Sequence, residues 1–298
     1  MPKTGIAYAV VSPNSPADYT TVQAAIDALE KSIFVKAGKT VAGWNQNVDA
    51  VEVHTGPGVT VSSGINVTGA NCGIILGPGT TVSGEIDSTT GAEFFLEAMN
   101  GCTLGLIDIG TARSYFNGGG WGTVAASDSA QDNVRVNASD CILENFAVDR
   151  GDVAGGYAAV SFIGGTNPRG AVRLAKVDNE DDFAIYVWAN EADVLILGCI
   201  TLSVGLTYTL DNNAVRTRTI GNSVVPAGTS GLNARSTAAD GVYVGNVTTA
   251  PPVNRDCVLL AGSNHVVVGN RNLGFTGTGV AINDGSTNST TAANDNTA

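Results

Sequence analysis

Two neighbouring segments of the chain carry residue types that could act on a substrate. The acidic run Asp178-Asn179-Glu180-Asp181-Asp182 ends in two adjacent carboxylates. Paired carboxylates such as Asp181 and Asp182 can act as general acid and base on a glycosidic bond, or can bind calcium. Shortly before this run stand Arg169 and Arg173. Asp181, Asp182, Arg169 and Arg173 are therefore the candidate catalytic residues.

Both segments also have a purely structural interpretation. The acidic run stands between Val177 and Phe183, where a charged turn between two strands would be exposed to water. Arg169 and Arg173 would then form salt bridges with this turn. Catalysis requires that an arginine and both aspartates meet in one groove, whereas the structural interpretation requires no such convergence.

The other reactive residue types indicate neither a metal site nor a cofactor. His54 and His265 fall in different parts of the repeat described below, so we predict no shared metal site. The cysteines are widely spaced, form no Cys-x-x-Cys pair and are each followed within two residues by Ile or Leu, so we predict buried, reduced thiols. They are Cys72, Cys102, Cys141, Cys199 and Cys257. The tryptophans, which could stack on sugar rings or serve as packing anchors, are Trp44, Trp121 and Trp188.

Short hydrophobic strings recur in the second half of the chain at a nearly constant spacing. Their second residues are Ala175, Gly198, Gly221, Gly245 and Gly269, at steps of 23, 23, 24 and 24 residues. A period in this range is typical of solenoid proteins. Upstream, strand-like strings follow one another at uneven gaps, so we place the excess residues in glycine-rich lateral loops at 113–133 and 151–165.

One repeat of this length cannot bury its own apolar face. Stacked coils bury a continuous core of Val, Ile and Leu, and neighbouring coils pair as parallel strands about 4.8 Å apart. Gly and Asn suit the corners because both accept the left-handed conformation. We therefore predict an all-β fold, a right-handed parallel β-helix. The alternative is a β-sandwich, but that fold predicts a strand about every 8–12 residues without this long period.

The N-terminal region holds the one clear helical pattern. Thr20 and Gln23 have the spacing of a capping box, and the apolar residues that follow form one stripe, Val22, Ile26 and Leu29. We predict a helix over residues 19–31 that covers the exposed end of the strand stack.

The chain is predicted to divide into three parts. Residues 1–18 form an N-terminal arm, residues 19–282 form a single β-helix domain that includes the capping helix, and residues 283–298 form a polar C-terminal tail. The tail consists of small polar residues of low complexity, so we expect it to be disordered or to lie along a partner.

The N-terminal residues resemble a known family. The segment Val22-Gln23-Ala24-Ala25-Ile26-Asp27-Ala28-Leu29, followed by Ile33-Phe34-Val35-Lys36-Ala37-Gly38, looks like the opening of pectin-lyase-like right-handed β-helix proteins. In that family an amphipathic helix precedes a strand that ends in a Pro-Gly or Ala-Gly turn. The family usually continues Gly-Thr-Tyr, whereas this chain has Gly38-Lys39-Thr40. The later Cys-x-Ile/Leu and Val-Gly-Asn strings are similar to those of bacteriophage members.

This resemblance implies a fold more than an activity, because the superfamily contains lyases, hydrolases, esterases and non-catalytic viral spikes and coats. Calcium-dependent lyases of the family use an arginine to abstract a proton, in an Arg-x-Pro-x-x-Arg pattern, but here Pro168 precedes Arg169. Family hydrolases place an Asp pair on a turn, as at Asp181 and Asp182, but their Gly-His-Gly and Arg-x-Lys motifs have no counterpart in this sequence.

Composition and charge narrow the possible partners. The 298 residues are 43% hydrophobic and 14% charged, with 38 glycines, which favours a folded, β-rich, turn-rich protein. The formal net charge of −12 would repel a phosphate backbone, so we expect no nucleic-acid partner. No run of about 18 apolar residues occurs, so we expect no membrane span. The first residues lack the pattern of a secretory signal, so we expect synthesis in a host cytoplasm.

The sequence thus favours a non-catalytic structural protein of a bacteriophage virion. We expect a surface-exposed homotrimer that acts as a capsid decoration or cement protein, or as a tail spike or fibre. Decoration is favoured because the predicted helix begins by residue 20, which leaves little room for a separate particle-binding domain. The expected partners are further copies of the chain, major capsid or tail proteins and a host surface glycan. Trimer contacts are expected in the glycine-rich loops and the tail.

The alternative is an enzyme, either a polysaccharide lyase or a glycoside hydrolase that acts on a bacterial surface glycan. It requires Asp181, Asp182 and an arginine in one lateral groove. Negative charge on both the protein and an acidic glycan disfavours this function unless calcium bridges them.

Overall fold

The computed structural model describes residues 8–14, 17–89, 93–124, 131–149, 157–163, 169–179, 183–187, 193–203, 210–212, 215–226, 232–234, 238–249, 256–274 and 281–297. These residues form a solenoid in which the strands of each coil pair in parallel with the strands of the next coil. The predicted parallel β-helix is confirmed.

The strands lie on three sides of the solenoid. The first side contains β1 (Ala9–Val11), β2 (Ser32–Val35), β5 (Glu52–Thr55), β8 (Cys72–Leu76), β11 (Phe94–Ala98), the first parts of β14 (Tyr115–Val124) and β16 (Cys141–Asp149), β18 (Arg169–Arg173), β21 (Asp193–Leu197), β24 (Arg218–Ile220), β27 (Val242–Val244), β30 (Val266–Val268) and β33 (Thr290–Ala292). The second side contains β3 (Thr40–Val41), β6 (Thr60–Val61), β9 (Thr81–Val82), β12 (Thr103–Leu104), the last parts of β14 and β16, β19 (Lys176–Asn179), β22 (Ile200–Ser203), β25 (Ser223–Pro226), β28 (Val247–Thr249), β31 (Arg271–Leu273) and β34 (Asp295–Thr297). The third side contains β4 (Asn45–Gln46), β7 (Ile65–Val67), β10 (Ile86–Ser88), β13 (Ile107–Ile109), β15 (Val134–Val136), β17 (Val160–Phe162), β20 (Ile185–Val187), β23 (Leu210–Asn212), β26 (Leu232–Ala234), β29 (Val258–Leu260) and β32 (Ile282–Asp284). The first two sides form one sheet because β14 and β16 run through both, and the third side is a separate sheet.

The core lies between the three sides. Side chains point inward at alternate positions, so burial alternates along strands such as β5, β11 and β21. One inward column of the first side consists of Ile33, Val53, Ile74, Leu96, Phe116, Leu143, Val172 and Ile196, each at most 2% exposed. Burial of apolar surface contributes about 25 cal/mol per Å². The residues of this column are covered by the coils on either side, so each coil is stabilised mainly by contact with its neighbours.

The corner between the first and second sides is a column of residues in the left-handed conformation. Its downstream members are Leu174, Gly198, Gly221, Gly245, Gly269 and Ala293, with φ between 51° and 66°. From Leu174 to Gly269, each N–H in the column donates a hydrogen bond to a carbonyl of the next coil; the Gly221 N–H, for example, donates to the Val244 carbonyl at 2.9 Å. The predicted alignment is confirmed for the four glycines, but the placement of Ala175 in the same column is wrong. Leu174 occupies the corner, and Ala175 lies one residue further on, level with Cys199.

The N-terminal coils are more regular than the sequence pattern suggests. Gly38, Gly58, Gly79 and Gly101 form another column of positive φ, at steps of 20, 21 and 22 residues. The Gly38 N–H donates to the Pro57 carbonyl at 2.8 Å, and the Gly58 and Gly79 N–H groups donate to the next coil in the same way. Coils in this half are therefore shorter than the downstream coils, and their spacing does not reflect inserted loops.

The residues predicted as glycine-rich lateral loops are in part strands. Within 113–133, β14 extends to Val124 and lies against β16. A Cβ at Gly118 would lie 2.5 Å from the Phe146 Cβ, and Gly119 has φ of +63°. These glycines allow close approach of two coils, which is why the loop prediction is wrong here. Within 151–165, β17 is a strand, and the remaining residues lie partly outside the described ranges.

The predicted N-terminal helix is present but shorter than expected. The helix α1 (Val22–Asp27) has Thr21 as its N-cap, and the Thr21 Oγ1 accepts a hydrogen bond from the Ala24 N–H at 3.1 Å. The predicted cap, Thr20, is one residue too early. Leu29 lies beyond the helix end with φ of 64° and is 65% exposed, so it does not belong to the buried stripe.

The helix packs at the start of the third side. Its buried residues, which belong to the common core, are Val22, Ala25 and Ile26. The Gln23 Oε1 accepts a hydrogen bond from the Asn45 N–H at 2.8 Å, so the helix satisfies a backbone donor of β4, the first strand of that sheet. The capping function itself remains a prediction.

Residues at both ends of the chain differ from the predicted arm and tail. Within 283–298, β33 and β34 are strands in register with β30 and β31, although their side chains are exposed. The polar composition of this segment hid the strand pattern, because positions that are apolar in earlier coils are Thr and Asn here. Within 1–18, β1 pairs in parallel with β2 and belongs to the stack.

Buried asparagines stack beside the corner column. Asn222, Asn246 and Asn270 are each at most 1% exposed and directly follow the corner glycines. The Asn246 Oδ1 accepts hydrogen bonds from the N–H and the Nδ2 of Asn222, both at 3.0 Å. The Asn246 Nδ2 donates to the Thr219 carbonyl and to the Asn270 Oδ1, both at 2.9 Å. Asn294 continues this asparagine ladder by accepting hydrogen bonds from the N–H and the Nδ2 of Asn270. The polar atoms of the buried asparagines are thus paired inside the core.

Replacement of Asn246 by alanine should break the ladder at its centre. The substitution leaves the Asn222 N–H and the Thr219 carbonyl buried without these partners, and each such loss costs about 1–3 kcal/mol. We expect the free energy of unfolding, measured by urea denaturation, to fall by about 2–4 kcal/mol. The control Asn66→Ala removes an exposed asparagine and should change the value by less than about 0.5 kcal/mol. Equal losses in both variants would contradict the structural role of the ladder.

Candidate functional site

The predicted site residues Arg169 and Arg173 lie at the two ends of β18 on the first side. The Arg169 Nη2 lies 2.9 Å from the Asp140 Oδ2, and the Arg218 Nη2, two coils further on, lies 3.0 Å from the Asp193 Oδ1. These residues line a shallow cavity of about 300 Å³. Arg169 is thus paired with a carboxylate of the preceding coil. The salt-bridge interpretation paired it with the acidic run, of which residues 180–182 lie outside the described residues.

The described carboxylates of this cavity are both engaged in ion pairs. Its two carboxylates, Asp140 and Asp193, are each engaged by an arginine, and such exposed ion pairs contribute about 0–1 kcal/mol to stability. Arg173 is half-buried, and its Nε has no hydrogen-bond partner. In the register Arg173 lies next to Glu144, whose Oε1 accepts a hydrogen bond from the Tyr115 hydroxyl.

The other predicted residues are placed as follows. Asp181, Asp182 and Trp188 lie outside the described residues, so their convergence with an arginine stays a prediction. The side chain of Trp121 is likewise not described. Trp44 is buried, and its Nε1 donates to the Gln46 Oε1 at 3.2 Å, so this tryptophan packs in the core rather than against a ligand.

The histidines and cysteines have structural environments. His265 is 1% exposed, and its Nε2 lies 2.7 Å from the Ala261 carbonyl oxygen, whereas His54 lies on the outer face of β5 beside Glu52. The five thiols are free and buried, and burial raises the pKa of Cys141 and Cys199 to about 11. Within the described ranges, no three His, Cys, Asp or Glu side chains are placed to hold a metal ion. In the same part of the chain no helix is long and apolar enough to span a bilayer.

The outer face of the third side carries a polar column that was not predicted. The central residues of five consecutive strands, β10, β13, β15, β17 and β20, are aligned by the parallel register. They are Asp87, Asp108, Arg135, Ser161 and Tyr186, which we call the third-side column. Neighbouring members are separated by one coil, or about 4.8 Å.

Asp108 is held by two donors. The Arg135 Nη2 donates to the Asp108 Oδ2, and the Asn137 Nδ2 donates to the Asp108 Oδ1 at 3.1 Å. Asp108 is only 6% exposed, so these donors compensate for the water that its carboxylate loses on burial.

Asp87, one coil before Asp108, lacks equivalent donors. Its Oδ1 is buried and has no hydrogen-bond partner. Burial raises the pKa of Asp87 to about 6, the negative charges of Asp108 and Glu85 act in the same direction, and Arg135 opposes them. A carboxyl group with this pKa exchanges protons near neutral pH.

The far end of the column combines a second fixed carboxylate with aromatic rings. The Asp132 carboxylate accepts hydrogen bonds from the Ala158 N–H at 2.7 Å and from the Ser161 Oγ at 2.6 Å. The rings of Phe183 and Tyr186 stack with their centroids 4.6 Å apart. This end of the column is buried: Ser161 is 0% exposed, Tyr186 6% and Phe183 8%.

This arrangement is the one that general acid–base chemistry uses, because a carboxyl of raised pKa stands next to a carboxylate fixed by an arginine. The sequence contains a signal for it in the triplets Ile86-Asp87-Ser88, Ile107-Asp108-Ile109 and Val134-Arg135-Val136. Their central residues are 21 and 27 positions apart, so the alignment becomes visible only when the strand register is known.

Comparison with known proteins gives a match in structure but not in sequence. No family model matches the chain, and no curated protein matches it. The crystal structure of the Dettilon tailspike protein matches with a TM-score of 0.58, covering 94% of this chain and 68% of that chain at 11% sequence identity. At this identity the likeness shows the fold alone. The predicted resemblance to phage β-helix proteins is confirmed at that level.

The raised pKa of Asp87 predicts a pH-dependent effect on stability. A raised pKa means that Asp87 favours the folded state at low pH, and that this contribution disappears as the pH rises through about 6. Asp87→Asn should therefore stabilise the protein at pH 8 by about 1 kcal/mol, after allowance for solvent screening, and the gain should shrink toward pH 4. Urea denaturation at several pH values measures it. Asp149→Asn, at an exposed position, is the control, and a gain at Asp87 that is independent of pH would contradict the assignment.

Proposed function

We propose that this chain is the β-helix of a bacteriophage tail spike, a structural and surface-exposed component of the virion that assembles as a homotrimer. The observation that carries the proposal is the fold likeness to a tailspike over 94% of the chain. A capsid decoration or cement protein is the other position on a particle that would suit this fold. We favour the spike because the matching solved structure is itself a tailspike.

The physical properties of the solenoid support a structural function. Its backbone hydrogen bonds run along the axis from coil to coil, so bending or stretching the rod would strain many bonds at once. The asparagine ladder adds side-chain bonds in the same direction. The net charge of −12 favours solubility of a protein displayed at a particle surface.

Electron microscopy of the virus that encodes the chain tests this proposal. Gold-labelled antibodies raised against the chain should mark the tail, and mass spectrometry should detect the chain in purified particles. Label on the capsid instead would contradict the spike assignment and support decoration. Absence of the chain from purified particles would overturn the virion function altogether.

A second function is favoured by the third-side column. We infer that, if the chain cleaves a bacterial surface glycan, Asp87 and Asp108 are better placed to do so than any other described pair. Asp87 would donate its proton to the glycosidic oxygen as the bond breaks, and the Asp108 carboxylate would stabilise the positive charge that develops on the sugar ring. A water molecule would then add to that sugar and return its proton to Asp87. The two residues are neighbours in the register, one coil or about 5 Å of backbone apart, so both can face the same glycosidic bond.

An assay for new reducing ends on purified bacterial capsule and lipopolysaccharide glycans tests the second function. Cleavage by the unmodified chain should fall at least about 100-fold in Asp87→Asn, because the proton donor is lost. The control Asp149→Asn should cleave at the rate of the unmodified chain. Lack of detectable cleavage by the unmodified chain would end the enzymatic proposal, and full activity of Asp87→Asn would remove the third-side column from it.

A further inference from the structure

The first side presents a charge-free row of side chains in its C-terminal coils. The outward positions nearest the corner column on β21, β24, β27, β30 and β33 are aligned by the register. They are Leu197, Ile220, Val244, Val268 and Ala292, which we call the apolar strip. With about 4.8 Å between coils, the strip is about 19 Å long.

Further apolar side chains widen the strip on both flanks. Val266 lies on the first side and is 38% exposed, while Ile200 and Val247 lie across the corner and are 44% and 41% exposed. The charged groups nearby are paired with each other, since Arg218 bonds to Asp193 and Arg271 lies 3.5 Å from Asp295. Folded monomers rarely leave a continuous apolar surface of this kind exposed to water.

The strip is confined to these coils. In the four preceding coils the same row of the register contains polar residues only, Glu97, Asn117, Glu144 and Arg173. Further upstream the row contains Phe34, His54 and Ile75. The change from charged to apolar residues therefore occurs between β18 and β21, on strands that are otherwise continuous in register. Outward side chains of this row do not pack in the core, so their change from charged to apolar points to contact with another surface.

We propose that the apolar strip binds the apolar strip of a second copy of this chain, an inference that rests on the proposed assembly of the virion protein from identical subunits. Two observations select a second copy as the occupant. A net charge of −12 makes two copies repel, so they approach most easily where neither carries charge. The side chains of the strip also form ridges that repeat at the coil spacing, with grooves between them. An identical strip has the same period, so the ridges of one copy can enter the grooves of the other along its whole length.

This proposal replaces the interface expected from the sequence. The glycine-rich segment around Gly118 packs against β16, and β33 and β34 are coils of the stack, so these parts of the expected interface are not free arms. Residues 125–130, 151–156 and 164–165 of the expected loops lie outside the described residues. The strip instead offers a preformed surface on rigid strands, which loses little conformational entropy when it is covered.

The test is the molecular mass of the full chain in solution, measured by sedimentation equilibrium. The unmodified chain should form an oligomer. The double variant Val244→Glu, Val268→Glu should dissociate, with a rise in Kd of at least about 100-fold, because carboxylates of the two copies would face each other in the interface. The matched control Leu259→Glu changes a half-buried outward residue on β29 of the third side and should leave the oligomer intact.

Circular dichroism establishes that each variant is folded. Should the glutamate variant fail to fold, Val244→Thr, Val268→Thr keeps the shape of the side chains and should still raise Kd by at least about tenfold. A monomeric unmodified chain, an oligomer unaffected by the folded strip variants, or equal dissociation of Leu259→Glu would each overturn the proposal. Antibody labelling of particles distinguishes this proposal from the proposed virion function. If the particles are labelled but the oligomer does not depend on the strip, only the strip proposal fails. If the oligomer depends on the strip but the chain is absent from particles, only the virion function fails.

Discussion

The whole structure depends on one constraint: each coil must complete one full turn about the solenoid axis, so that its strands lie in parallel register with those of the preceding coil. A parallel strand in a solenoid has no partner within its own coil, so every N–H and C=O along the strand depends on the neighbouring coil. The corner column satisfies this requirement through residues of positive φ, such as Gly198 and Gly221, whose N–H groups bond to the next coil at 3.0 and 2.9 Å. The asparagine ladder beside it fixes the same register from inside the core.

Once the register is fixed, any residue type that recurs at one position of the coil becomes a column. This alignment produces both surfaces on which the functional proposals rest. On the third side it places Asp87 next to Asp108, and the resulting repulsion adds to burial in raising the pKa of Asp87. Arg135 in the next coil offsets part of that repulsion, so the column tolerates two carboxylates in succession. On the first side the same alignment assembles outward, mostly half-buried apolar residues into the apolar strip.

The corner requirement also explains which parts of the fold the sequence predicts. Where the corner residue is Gly followed by Asn, as at Gly221, Gly245 and Gly269, the period is readable directly. Where another residue adopts positive φ, as Leu174 does, string matching shifts the alignment by one position. The columns of the candidate site are less predictable, because they connect strands at unequal sequence spacings. Which residues become neighbours depends on the strand register, and this cannot be read from the composition. The Gly58 and Gly79 turns were readable in principle, since each follows a proline and precedes a Thr-Val strand by one residue.

The two halves of the solenoid distribute polar and apolar residues in opposite ways. In the N-terminal coils the inward column is Ile, Val and Leu, and the outer row of the first side includes glutamates. In the C-terminal coils Thr219, Asn246 and Asn272 are buried, and the outer row is apolar. Hydrogen bonds in a core specify register but contribute only about 1 kcal/mol each, whereas apolar burial supplies most of the stability of a stack. The C-terminal coils of a single chain are therefore the less stabilised half, and burial of the apolar strip against a second copy would supply the apolar contact that their own core lacks. The polar ladder inside and the apolar strip outside are in this sense parts of one arrangement, in which the register is set within the chain and the proposed assembly would add apolar burial.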